Sequence, residues 1–95
     1  MLASDDVDIV YVGTPDDMHK QHSLMAIEAG KHVLCEKILA KSVSDAEEMY
    51  DAANRQGVML QDGVWTRCFP AVVPARQIIE SGDIGEVEMV QAEGD

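Results

Sequence analysis

The sequence predicts an α/β fold: three strands of a doubly wound parallel sheet joined by helices, running into the first strand of a second, α+β domain. Three observations predict it. Short apolar runs recur at residues 7–12, His32–Cys35 and residues 58–61, the first of them rich in β-branched side chains. Each is followed by a helical pattern that a glycine closes, Gly30, Gly57 and Gly82 in turn. The last stretch, residues 86–93, changes to polar–apolar alternation, the pattern of a strand with one wet face. Strand–helix units repeated in this way require right-handed crossovers and therefore parallel strands.

Taken in order, Val7-Asp8-Ile9-Val10-Tyr11-Val12 reads as a strand ended by the turn signal Gly13-Thr14-Pro15. Residues 16–29 carry Met18, His22, Met25, Ala26 and Ala29 on one helical face, the expected core face, with Gly30 as the stop. The second strand, His32–Cys35, is short and apolar. Ser42 or Ser44 caps the next helix, and Ser44-Asp45-Ala46-Glu47 fits a capping box. That helix should face the core with Val43, Ala46, Met49, Tyr50 and Ala53, and Gly57 closes it. The third strand follows, then a loop over residues 62–70 that holds the single tryptophan and the single phenylalanine. A third helix, marked by Ala71, Ala75, Ile78 and Ile79, is entered through Pro70 or Pro74, since proline is tolerated only in a first turn. Gly82-Asp83-Ile84-Gly85 is a turn rather than a phosphate loop.

Composition excludes several classes of partner. A chain of 95 residues with 46% apolar side chains can bury a core of its own. A net charge of -11 repels polyphosphate and anionic lipid, so neither nucleic acid nor a membrane surface is an expected partner. There is no apolar run of membrane-spanning length and no basic or apolar signal segment at the start, which makes the cytoplasm the expected compartment. Cys35 and Cys68 are far apart, in no metal or redox spacing, and are expected to be reduced. His19 and His22 share a helix, but with Cys35 or His32 they form no ligand cluster of the zinc type, so no metal is expected. Cys35 reads as an inert core thiol, and the methionines at 18, 25, 49 and 59 as core filler.

The chemistry is expected at the carboxyl ends of the strands, where parallel sheets bind ligands. Thr14-Pro15, Glu36-Lys37 and residues 62–67 all fall just past those ends and would converge on one crevice. A lysine there can hold a substrate oxygen and move its proton when hydride transfer interconverts alcohol and carbonyl. A neighbouring glutamate opposes the loss of the ammonium proton, so Glu36 can instead face ribose hydroxyls. The plain alternative is that Glu36 and Lys37 are a solvated loop pair, and that Trp65 is only a hydrophobic anchor.

The run Asp8-Ile9-Val10-Tyr11-Val12-Gly13-Thr14-Pro15 with His19, followed by Ala29-Gly30-Lys31-His32-Val33-Leu34-Cys35-Glu36-Lys37, resembles the glucose-fructose oxidoreductase, inositol dehydrogenase and MocA family of NAD(P)-dependent oxidoreductases. Within it, Val64-Trp65-Thr66-Arg67-Cys68-Phe69-Pro70 is similar to the dimeric dihydrodiol dehydrogenase branch, which oxidises trans-dihydrodiols and D-xylose with NADP. The resemblance covers almost the whole chain and implies a Rossmann-type domain followed by a sheet domain on the substrate side. It implies that Thr14, Pro15, His19, Glu36, Lys37, Trp65 and Arg67 are cofactor-side residues, with Lys37 catalytic or cofactor-orienting. The implied cofactor is NADP or NAD, the implied substrate a small diol or sugar, and the implied full-length form a homodimer.

Asp16 replaces the asparagine of the family's T-P-N turn, and Ile38 replaces the proline of its E-K-P motif. With isoleucine after Lys37, a trans peptide is expected there, because a cis bond before a residue other than proline is costly. The glycine-rich G-x-G-x-x-G turn is not in this sequence. The expected organisation is thus a partial dinucleotide-binding domain over residues 1–82 and the start of a sheet domain over residues 83–95, a fragment expected not to turn over by itself. A non-catalytic truncated paralogue or interaction fragment is the alternative.

Overall fold

A computed structural model describes residues 1–94. The chain forms two compact units, Met1–Val64 and one beginning at Trp65, and each has its own internal logic.

The first unit is a three-stranded parallel sheet in the order β1-β2-β3, with β1 at Ile9–Val12, β2 at His32–Cys35 and β3 at Leu60–Asp62. Register is set by Ile9 opposite His32 and Val12 opposite Cys35, then Val33 opposite Leu60 and Cys35 opposite Asp62. β1 begins at Ile9, two residues later than the apolar run, because pairing begins where β2 begins. β3 is likewise shifted forward, to the residues that face Val33, Leu34 and Cys35. Side chains alternate across a strand, so Val10, Val12, Val33, Cys35 and Leu60 point to one face and are buried. Ile9, Tyr11 and Leu34 point to the other and are exposed.

Helix α1 (His19–Glu28) and helix α2 (Val43–Gln56) connect the strands and pack against each other. A short 3-10 turn, Asp16–Met18, leads into α1. The expected core face of α1 is corrected by about one residue: His19, Ser23, Ala26 and Ile27 are buried, whereas Met25 is 49% exposed. The apolar side chains of α1 are spread around it, so they do not choose the face. The two hydrogen bonds of His19 and the closeness allowed by Ser23 and Ala26 do. In α2 the buried residues are Met49, Ala52 and Ala53, while Val43 and Tyr50, expected in the core, are exposed. Ser42 caps α2, its hydroxyl accepting from the Asp45 N–H at 3.1 Å. The Ser44 box is therefore not the cap, since Ser44 already lies inside the helix. Gly57 ends α2 at φ 69°, the left-handed conformation for which a side chain would be strained.

The second unit contains a 3-10 helix, Trp65–Cys68, and helix α3 (Val72–Ser81). Pro74 sits in the first turn of α3, as expected of a proline, and Gly82 follows its end at φ 84°. Trp65 and Phe69 meet edge to face with ring centroids 5.0 Å apart. The strand expected over residues 86–93 is not formed. Alternation supplies a face but no hydrogen-bonding partner, and no other segment among the described residues pairs with it.

Candidate functional site

The site is built where β1 and β2 end. The Glu36 N–H donates to the Val12 carbonyl at 2.9 Å, carrying the ladder one residue past Cys35. Alternation then puts Glu36 on the same face as Leu34, the face that α1 and α2 leave uncovered, and next to Tyr11. The Tyr11 hydroxyl donates to Glu36 Oε2 at 2.6 Å, and the Lys37 N–H donates to Glu36 Oε1 at 3.2 Å. Those two donors, the Tyr11 hydroxyl foremost, hold the Glu36 carboxyl below its ordinary range. The same bond, with the Glu36 charge, raises the Tyr11 phenol above its ordinary value.

Gly63 closes the floor. Its N–H donates to the Cys35 carbonyl at 2.7 Å. A Cβ at this position would come within 3.2 Å of that oxygen and 3.3 Å of Glu36 Cα, so the glycine permits a backbone approach that alanine would crowd. Gly13, at the end of β1, has a similar role toward Tyr11: a Cβ there would meet the phenol ring at 2.7 Å.

His19 lies beneath both turns and is fully buried. Nε2 is 2.7 Å from the Thr14 carbonyl oxygen and Nδ1 is 2.6 Å from the Ile38 carbonyl oxygen. One side chain thus spans the turn after β1 and the turn after β2. His22, one helical turn on, shares a hydrogen bond of 3.0 Å with the Thr14 hydroxyl. Tyr11, Thr14, His22 and Met25 border an apolar pocket of about 220 Å³ on this side of the unit.

The Lys37–Ile38 peptide is cis, which corrects the expectation of a trans bond. The Ile38 carbonyl is held by the buried His19 ring and the Lys37 N–H by Glu36. The Lys37 side chain is exposed, and its ammonium has no hydrogen-bond or ion-pair partner among the described residues. The other lysines near α1 are occupied: Lys20 bridges Asp45 and Glu48, each at 2.9 Å, and Lys41 pairs with Asp17 at 2.6 Å. Burial pushes the Cys35 thiol up, in keeping with an inert core residue.

The first unit therefore brings together Thr14, Pro15, His19, Glu36 and Lys37. Trp65 and Arg67 belong to the second unit, both exposed on its 3-10 helix. Tyr11 and Gly63 were not singled out by sequence reasoning. A tyrosine in a strand reads as a β-former, and a glycine after aspartate reads as a turn. Only the period-2 phase, which places Tyr11 and Glu36 on the same face, hinted at the first of them. Among the described residues no group of three or more His, Cys, Asp or Glu side chains could hold a metal ion, and no helix is long and apolar enough to cross a membrane.

Chemically, the arrangement offers a fixed carboxylate, an exposed ammonium and a hydroxyl-bearing turn at one edge. That donor set suits the hydroxyls of a ribose and a substrate oxygen. It holds no cluster of backbone N–H groups of the glycine-rich kind that cradles a pyrophosphate.

Comparison with known proteins shows the family. The oxidoreductase family with the NAD-binding Rossmann fold matches residues 1–64, the whole of the first unit. The chain is 41% identical over 87 residues to a D-xylose 1-dehydrogenase (NADP(+)) of Hypocrea jecorina, covering 92% of the chain and 22% of that enzyme. It is 40% identical over 93 residues to a trans-1,2-dihydrobenzene-1,2-diol dehydrogenase of Oryctolagus cuniculus, covering 97% of the chain and 28% of that enzyme. Among solved structures, an NAD-binding oxidoreductase from Klebsiella pneumoniae superposes with a TM-score of 0.81 at 42% identity, over 90% of the chain and 22% of its own. The chain thus spans about a quarter of the length of the relatives it matches.

Proposed function

The chain belongs to the oxidoreductase family with the NAD-binding Rossmann fold, and from that premise we propose that it supplies the nicotinamide-side wall of a dehydrogenase acting on a sugar or a trans-dihydrodiol. NADP is the proposed cofactor, because the D-xylose relative is named for it. The observation that carries the reading is the side-by-side ending of β1 and β2, which sets Thr14-Pro15 beside Glu36-Lys37 with one buried histidine between them.

A bound nicotinamide would supply the hydride acceptor. The residues present suit that end of a dinucleotide and not its phosphate end. Glu36, held by Tyr11 and the Lys37 N–H, is placed to accept from ribose hydroxyls. Lys37, at the edge and without a partner among the described residues, is proposed to hold the substrate oxygen and, in its neutral amine form, to take up the hydroxyl proton as the hydride leaves for the nicotinamide and the carbonyl forms. Trp65 and Arg67 are proposed to line the cofactor side, and the full-length protein to act as a homodimer in the cytoplasm. By itself the chain is proposed not to turn over, since its relatives devote about three-quarters of their length to parts that it does not span.

A chimera tests this. The aligned 87 residues would replace their counterpart in the Hypocrea jecorina enzyme, and oxidation of D-xylose with NADP would be followed. The expected result is an active chimera in which Lys37→Met lowers kcat by about 10²- to 10⁴-fold. A Lys37→Met chimera as fast as its parent would overturn the assignment.

A further inference from the structure

His19 is fully buried and faces two main-chain carbonyl oxygens, one through each ring nitrogen. A carbonyl oxygen can only accept. A neutral imidazole has one N–H, so its other nitrogen would press a lone pair against an oxygen lone pair at 2.6 or 2.7 Å. Turning the ring over would face carbon toward both oxygens and lose both bonds. No exposed edge remains through which water could separate the pair. Both distances lie at or below the short end of the range for hydrogen bonds from a charged donor, about 2.7–2.9 Å.

We propose that His19 is a positioning residue that works as an imidazolium, with one N–H fastening the Thr14 turn and the other fastening the Ile38 turn. The two anchored carbonyls flank the functional residues: Thr14 belongs to the first turn, and Ile38 directly follows Lys37. The clamp joins points 24 residues apart in sequence through one side chain, and it acts on Lys37 only through the intervening peptide.

A buried cation requires compensation. Within two residues of the carbonyls it holds lie Asp16 in the first turn and Glu36 and Lys37 in the second, and His22, one helical turn on, shares the Thr14 contact. Glu36 supplies the opposing charge: the charge of His19 adds to the Tyr11 and Lys37 hydrogen bonds in favouring the Glu36 carboxylate. The chain as a whole, at -11, favours a buried positive charge.

Nitrogen NMR of the full chain, labelled in its histidine rings, tests the clamp without any variant. Recorded between about pH 5 and pH 8, it is expected to show both His19 nitrogens carrying protons while the carbonyl-carbon signals of Thr14 and Ile38 stay at their hydrogen-bonded positions. Where one ring proton is lost, both carbonyl signals should move with the same pH profile. A ring with a single protonated nitrogen throughout that range, or carbonyl signals that stay unmoved where a ring proton is lost, would overturn the proposal. The importance of the clamp for Lys37 rests on the dehydrogenase reading. In the chimera, His19→Asn keeps one donor and should lower kcat about 10- to 100-fold while leaving the KM for NADP within about twofold. An unchanged kcat would remove the positioning role. If Lys37→Met leaves activity intact while the ring is doubly protonated, the assignment of Lys37 fails and the clamp stands. A neutral ring with an essential Lys37 means the reverse.

Discussion

The two units of this chain obey different rules. In Met1–Val64 the apolar side chains find one another: ten hydrophobic residues from Val10 to Leu60 form a closed core between the sheet and its two helices. From Trp65 onward Val72, Val73, Ile78 and Ile79 lie on a regular helix that Gly82 ends, and every one is exposed. A helical pattern and a left-handed glycine stop are present in both. What differs is whether a second apolar surface lies opposite, and the site residues that the structure organises are those of the unit that has one. Local sequence is therefore enough to shape an element but not to aim a functional side chain.

The strongest way to break this comparison is to remove core volume from each unit. Ile27→Ala or Met49→Ala, both fully buried, should each cost about 2–5 kcal/mol. Ile78→Ala, at a half-exposed position, should stay within about 0.5 kcal/mol. Urea unfolding followed by circular dichroism measures both, and equal losses would show that α3 has a core of its own.

Glycines sharpen the contrast at smaller scale. Gly63→Ala must push against the Cys35 carbonyl and Glu36 Cα, and should cost about 1–3 kcal/mol. Gly94→Ala meets nothing and should be silent. If Gly63→Ala leaves the unfolding midpoint and the Glu36 and Lys37 amide signals unchanged, the close approach does not constrain the turn.

Next in size is the cap of α2. Ser42→Ala removes the acceptor for the Asp45 N–H and should destabilise by about 1 kcal/mol, whereas Ser44→Ala should be close to neutral. The reverse ranking would restore the Ser44 capping box.

The smallest effect is one of titration. The Tyr11–Glu36 bond raises the phenol and lowers the carboxyl. A lowered carboxyl contributes above its ordinary pKa, 4.5, and loses that contribution as pH falls through the folded value. A raised phenol contributes below its ordinary pKa, 10.0, and loses that contribution as pH rises through the folded value. Glu36→Gln should therefore bring ionisation of Tyr11 to lower pH in an ultraviolet titration. Gly13→Ala, which crowds the ring, should do the same through displacement of the phenol. A Tyr11 titration identical in all three proteins would show the bond absent in solution.

Much of the fold was legible in residue order. β2 was legible residue for residue, since a short run, His32 and three apolar side chains, lies between Lys31 and Glu36. The glycine stops, the entry of α3 through a proline and the position of Glu36-Lys37 at a strand end also follow from chain chemistry alone, though not the choice of Pro74 over Pro70. The face of α1 was not legible, because a spread-out apolar pattern has no preferred side until the sheet and α2 are in place. Nor was the choice between Ser42 and Ser44, both of which satisfy the composition of a cap. The alternation of residues 86–93 described a strand that needs a partner, and a pattern cannot provide one.

By itself the sequence determined the order of the elements, their approximate limits, the absence of a phosphate-cradling glycine turn and the family resemblance of its motifs. These depend on neighbours along the chain. Only the tertiary structure decided that Tyr11 holds Glu36, that Gly63 admits a backbone approach, that the Lys37–Ile38 peptide is cis and that His19 is buried between two carbonyls. Each of those, apart from the peptide bond, joins residues many positions apart. Such contacts are fixed by the register of β1 on β2 and by the packing of α1, which no local pattern specifies.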